Sequence, residues 1–269
     1  MNPTPSRFTL AALLGVLSAC ATAPVAVRPA DPADPGAAVR PASPEKCDRA
    51  TYDAAVQKVQ TGSFAPPAHT LWAITKRNPK LQWSPDGARV LMIQWTPWGG
   101  YSVGDTVMKR DVFLTPAPQV LEICRPLPPA ARVERMQQYL GLPPEDASAP
   151  ARNVVEMWVS PADLFRPCAD PEIDDETCSV TFPPEVPAQH RDWMARFYAN
   201  AYAPWQHTRY PWTALGFTYD WCGGSSQVGA SEYILRAGSK VSIQSIIPTQ
   251  AYCDTPASDR TAGSIQSSR

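Results

Sequence analysis

Apolar residues recur at helical spacing in four stretches of this chain and crowd at strand spacing in about six others. Over Ala188 to Ala203, residues Trp193, Met194, Phe197, Tyr198 and Ala201 share one face of a helix bounded by Pro187 and Pro204. Tyr52, Ala55, Val56 and Val59 predict a helix from Cys47 to Gln60, with Gly62 as its stop, and Ala130 to Leu140 predicts another, closed at Gly141. Thr115-Pro116 reads as a cap and first helical proline for a short helix running to Cys124. Ser160-Pro161-Ala162-Asp163 repeats that cap pattern.

Val90 to Thr96 is β-prone and apolar on both faces, which predicts a central strand, and Asn153 to Val159 is its equal. Leu71 to Thr75, Asp111 to Leu114 and Gly216 to Trp221 read as shorter strands. Ser231 to Arg236 and Val241 to Ile247 alternate around Gly238-Ser239, which predicts a hairpin. Trp83-Ser84-Pro85-Asp86-Gly87 resembles the turn signature of WD40-like propeller repeats. No second copy exists, so a tight turn explains it. Strands and about four helices in irregular order predict an α+β domain with a mainly antiparallel sheet, braced by disulfides.

The first twenty residues depart from this pattern. Phe8 to Leu17 is an apolar run of about ten residues, half of the roughly twenty that a spanning helix needs. It ends in Leu17-Ser18-Ala19-Cys20, which resembles the lipobox of bacterial lipoprotein signal peptides. The resemblance implies that residues 1–19 are cleaved and that Cys20 is lipidated, attaching the protein to a membrane. Ala21 in place of Asp implies, by resemblance to enteric sorting rules, the outer membrane facing the periplasm. Residues 20–46 carry Pro24, Pro29, Pro32, Pro35, Pro41 and Pro44 with no apolar period, and read as a tether. The globular part is expected over 47–256, and residues 257–269 as a disordered tail.

A net charge of −1 without a basic stripe excludes a nucleic-acid footprint. Beyond Cys20 there are six cysteines: Cys47, Cys124, Cys168, Cys178, Cys222 and Cys253. An even set in an exported chain predicts disulfides. Cys168 and Cys178 would close a small acidic loop. The expected hairpin would put Cys222 beside Cys253, leaving Cys47 for Cys124. Asp170, Glu172, Asp174, Asp175 and Glu176 within that loop lack the spacing of a calcium loop and read as a solvated acidic run, and no histidine is spaced as a zinc ligand. No metal or cofactor is predicted.

Candidate chemistry is sparse. Gly229-Ala230-Ser231-Glu232-Tyr233 begins like a nucleophile elbow, but Tyr233 stands where glycine is needed. Of the three histidines, His190 falls near the apolar face of its helix and reads as a packed core-edge residue. His207, in the loop before Tyr210, is the one that Glu232 could orient as a general base. Trp98, Trp212 and Trp221, with Trp95, Tyr101, Tyr210 and Tyr219 nearby in sequence, are candidates for a stacking surface. The leading expectation is a non-catalytic envelope lipoprotein that binds or supports another envelope protein or cell-wall glycan. The competing expectations are a periplasmic hydrolase using His207 and Glu232, acting on cell wall or exported substrates, and a glycan-binding module.

Overall fold

A computed structural model of the chain describes residues 47–62, 70–146, 148–203 and 209–256. The signal, tether and tail expected at the two ends lie outside the described residues. The elements run α1 (Arg49–Gln60), β1 (Val90–Thr96), β2 (Gly104–Val107), β3 (Val112–Pro116), α2 (Ala117–Cys124), α3 (Pro129–Tyr139), β4 (Asn153–Val159), β5 (Leu164–Phe165), α4 (Ala188–Ala201), β6 (Phe217–Tyr219), β7 (Val228–Ser231), β8 (Tyr233–Leu235), β9 (Lys240–Pro248) and α5 (Thr249–Cys253). They form one α+β domain. Its main sheet has seven strands in the order β2-β9-β4-β1-β3-β8-β5, every pairing antiparallel, and β6 and β7 make a second, two-stranded sheet.

β1 lies between β3 and β4, as its two apolar faces predict. Val90 and Met92 point to one core with Val155, Met157 and Val159 of β4 and Tyr233, Leu235, Val241 and Ile243 of β8 and β9. Leu91, Ile93 and Trp95 point the other way, onto Val120 and Leu121 of α2, Met136 of α3 and Tyr252 of α5. The period of two along a strand therefore separates an inner core from a helix-covered outer one.

The expected hairpin at Gly238-Ser239 does not form. β8 pairs with β3 and β5, whereas β9 pairs with β2 and β4. The β2–β3 and β8–β9 segments instead run alongside one another through a common bend. There the Gly238 N–H donates to the Met108 carbonyl at 2.7 Å, the Met108 N–H to the Ser239 carbonyl at 2.9 Å, and the Ala237 N–H to Asp111 Oδ1 at 2.9 Å. The pairing order is open, with β2 and β5 at its ends, but β2 leads directly into β3 and β8 into β9. A circuit therefore runs by pairing from β9 through β4 and β1 to β3 and, along the chain from β3 to β2, back to β9.

Other expectations shift. Leu71 to Thr75 is no strand: buried Leu71 and Ile74 donate their N–H groups to the carbonyls of Glu176 and Ile173, so that segment is covered by the acidic loop. Thr115 does not cap α2, because Pro116 takes the cap position without a side-chain bond. Ser160 to Asp163 makes a single 3₁₀ turn. α5, only five residues long, raises the helices among the described residues to five and was too short to show a period. At Ser84 to Gly87 the expected turn is present, with the Gly87 N–H on the Ser84 carbonyl at 2.7 Å and glycine at φ +69°.

All six cysteines are bridged, but only Cys168–Cys178 follows the expected pairing. The others are Cys47–Cys222 and Cys124–Cys253, with Cα–Cα separations of 5.7 and 5.5 Å. The absent hairpin was the reason for placing Cys222 beside Cys253. In the fold Cys222 follows β6, where α1 packs Tyr52 and Val56 on Tyr219 and Trp221. Cys124 and Cys253 end α2 and α5 in the outer core. Non-reducing peptide mapping should recover these three pairs. Replacing Cys124 and Cys253 together by Ser should cost roughly 4 kcal/mol in urea unfolding, given the length of loop they close.

Candidate functional site

Glu232 is the one residue between β7 and β8, where the chain passes from the small sheet to the large one. Its N–H donates to the Gly216 carbonyl at 2.8 Å. Gly216 holds φ +75°, and Ala214 holds φ 55°, a region that residues with a Cβ seldom adopt. The Thr213 hydroxyl fixes this turn, donating to the Phe217 carbonyl at 2.6 Å and accepting from the Leu215 N–H at 3.1 Å. Just before it, Trp212 is held from behind: the Tyr202 hydroxyl donates to its carbonyl at 2.6 Å, and the Phe197 ring meets its indole at a centroid distance of 4.5 Å.

Glu232 and Trp212 both line a cleft of about 500 Å³, within the range of roughly 300–1,000 Å³ typical of small-molecule sites. Ile93 and Trp95 of β1, Leu142 beyond α3, Phe197 of α4 and half-exposed Tyr210 make much of its wall. Arg152 also lines it, its guanidinium 5.0 Å from the Trp95 ring centroid and ion-paired with Glu145. Trp95 is oriented by an indole N–H bond of 2.9 Å to the Thr249 hydroxyl.

Two polar atoms here lack hydrogen-bond partners among the described residues: Glu232 Oε2 and Trp212 Nε1. Burial pushes the Glu232 carboxyl from its ordinary 4.5 up to about 8. The Trp212 N–H lies near enough to draw that value down, without the geometry of a hydrogen bond. Glu232 is therefore largely protonated at neutral pH, a neutral acid set among aromatic rings.

The other predicted residues divide. Cys20, His69 and His207 lie outside the described residues, so the His207–Glu232 pair has no described geometry. Trp212 is 6% exposed and forms cleft wall rather than a platform. Trp221, 5% exposed, belongs to the core: its N–H donates to the Leu142 carbonyl at 2.9 Å and its ring meets Tyr52 edge-on. Trp98, 49% exposed, stands apart from the cleft lining, against Tyr101 and under the Arg110 guanidinium. The three indoles form no common surface, because Trp221, just beyond β6, packs onto α1 and Trp98 lies outside the cleft lining.

Ser231 is 1% exposed and its Oγ accepts the Trp72 N–H at 2.8 Å, so this hydroxyl is occupied in holding the 71–74 segment. Ser231 also ends a strand instead of beginning the expected one. His190 is buried as expected, with Nε2 2.7 Å from the Cys168 carbonyl, and burial lowers its pKa. The acidic run is not simply solvated. Asp175 binds the wholly buried Arg166 at 2.7 Å, and Arg166 also donates to the Thr177 and Asp175 carbonyls. Burial alone would raise the Asp175 carboxyl, but Thr177 and Arg166 together hold it below the usual range.

Sequence reasoning named Glu232 but missed its setting. The visible signal was one acid inside the apolar run Val228 to Leu235, opposite the tryptophans after α4. No protein-family model, curated protein or solved structure matches this chain, so the site rests on its own geometry.

Glu232 makes stability depend on pH. The fold keeps its proton up to about 8, while the unfolded chain releases it near 4.5. Rising pH thus favours the unfolded chain by about 1.4 kcal/mol per unit across that window. Relative to wild type, Glu232→Gln should gain stability between pH 5 and pH 8 by a few kcal/mol and gain little at pH 4. Urea unfolding of both proteins at these pH values checks it, and a difference independent of pH would mean a solvated carboxyl.

Proposed function

We propose that this chain is an exported binding protein of the bacterial envelope, anchored by lipid on Cys20, whose cleft takes a small ligand with an apolar body and one polar group. The observation that carries the binding role is the pair of buried, unpartnered polar atoms at Glu232 and Trp212, set in an aromatic wall. An unsatisfied buried polar group costs roughly 1–3 kcal/mol, which a ligand placing its own polar group there would offset. Sites of this kind, mostly apolar with a few convergent polar groups, are the usual design of small-molecule pockets.

The location rests on sequence and on disulfides. The lipobox at Leu17 to Cys20 and the proline-rich stretch after it support a lipid anchor and a tether, with the domain facing the periplasm from the outer membrane. Three bridged cysteine pairs agree with an oxidising compartment. A binding role is preferred to hydrolysis because the hydroxyl next to Glu232, that of Ser231, is already engaged with backbone.

Two measurements test this reading. Cys20→Ala should move the protein from washed membranes to the soluble periplasmic fraction; a variant still held after a high-salt wash contradicts the anchor. In a fragment screen by NMR, hits should shift the indole N–H signals of Trp95 and Trp212 and leave that of core Trp221 in place. Hits that bypass both cleft indoles contradict the binding site.

A further inference from the structure

Charge in the cleft is balanced unevenly. Among the described residues its one cationic lining residue, Arg152, already has a counter-ion in Glu145 and lies over Trp95. Among the same residues the one acidic lining residue, Glu232, has none. Of the elements around Glu232, β1 and β3 contribute no titratable residue to the lining. The segment before β6 brings Tyr210, β6 brings Tyr219, and Tyr202 at the end of α4 feels the Glu232 charge. None of these is a cation at neutral pH. The rings of Trp212, Phe197, Trp95 and Tyr210 line the same cleft as the carboxyl, with Trp212 near enough to act on it, and aromatic rings of this kind can hold a positive charge by their quadrupoles.

We propose that the ligand of this cleft carries a cationic nitrogen, seated on Glu232 and flanked by the aromatic walls. The assignment rests on the cleft being a binding site and adds the chemical class that it accepts. A neutral hydroxyl or amide would meet the carboxyl but leave it without a charge partner, whereas an ammonium satisfies the ionised form, as buried charges require. The Trp212 N–H, which favours the ionised carboxylate, adds to the same preference. Burial keeps the empty site protonated near neutral pH. Docking R-NH₃⁺ then converts Glu232-COOH to Glu232-COO⁻, and the released proton goes to solvent. Affinity for a cation should consequently rise with pH up to the pKa of the empty site.

The test uses benzylamine, tryptamine and octylamine, each beside the alcohol of matching skeleton: benzyl alcohol, tryptophol and octanol. Each is titrated into the intact domain at pH 6, 7 and 8, and the indole signals of Trp95 and Trp212 are followed. At least one amine should bind about tenfold more tightly than its alcohol, and its affinity should rise by up to about tenfold per pH unit. Glu232→Gln should bring that amine down to the level of its alcohol and abolish the pH dependence of its binding. Asn200→Trp, placed on an exposed position that lines the cleft, serves as a second variant and should block amines and alcohols alike. Alcohols binding as tightly as amines, amine binding indifferent to pH, or amine binding that survives Asn200→Trp would overturn the cation assignment. If the alcohols still shift the cleft indoles, the cleft remains a binding site for another class. If none of the six compounds moves either indole, the assignment and the binding role fall together.

Discussion

A buried strand must find acceptors and donors for its whole backbone, and in this protein that requirement is met by a sheet in which pairing and chain connection together make a circuit. β9 leads by pairing through β4 and β1 to β3, and the chain runs from β3 to β2, which pairs with β9. Because β2–β3 and β8–β9 bend together around Met108 and Gly238, neither half of the circuit can shift register without the other. The closure also explains the two cores. One set of alternating residues faces inward, and the other, including Ile93 and Trp95, faces α2, α3 and α5. The cleft opens where that outer face of β1 passes beyond its helices toward α4 and Trp212.

Two buried ionisable groups show how differently such groups are used. Arg166, with no exposed surface, is met by the Asp175 carboxylate and by two carbonyls of a loop that the Cys168–Cys178 bridge encloses. It secures the acidic loop, which in turn covers the 71–74 segment. Glu232 has no such partner: the residue is only partly buried, but its Oε2 is shielded from solvent without a hydrogen bond among the described residues. Burial without compensation costs stability, so the fold holds the group neutral, and the proposed ligand would bring its charge partner from outside. That contrast is the reason for reading Arg166 as structural and Glu232 as functional.

The strands most regular in pattern were legible at once: Asn153 to Val159 has the predicted bounds, and Val90 to Thr96 the predicted central place. The helices at 49–60, 129–139 and 188–201 were legible because three or more turns repeat their period. Gly238 misled. A glycine at positive φ between two alternating segments serves a hairpin or a bend in a continuing ribbon equally well, and only pairing partners distant in sequence distinguish them. Two disulfide assignments failed with that hairpin. In the site, Glu232 was legible as a carboxylate that could orient His207, and Trp212 as a candidate stacking ring. Their convergence was not, since it depends on the left-handed turn at Ala214 and Gly216 and on Tyr202 reaching back to Trp212.

A carboxyl kept neutral inside an aromatic cleft is the feature on which the binding site depends. Direct titration of Glu232, with glutamate labelled at Cδ with ¹³C and its signal assigned through Glu232→Gln, measures that state without any ligand. A midpoint near 8, well separated from the exposed glutamates, is the predicted result. A midpoint in the ordinary range around 4.5 would contradict it, and the neutral, unpartnered acid on which the site is argued would not exist.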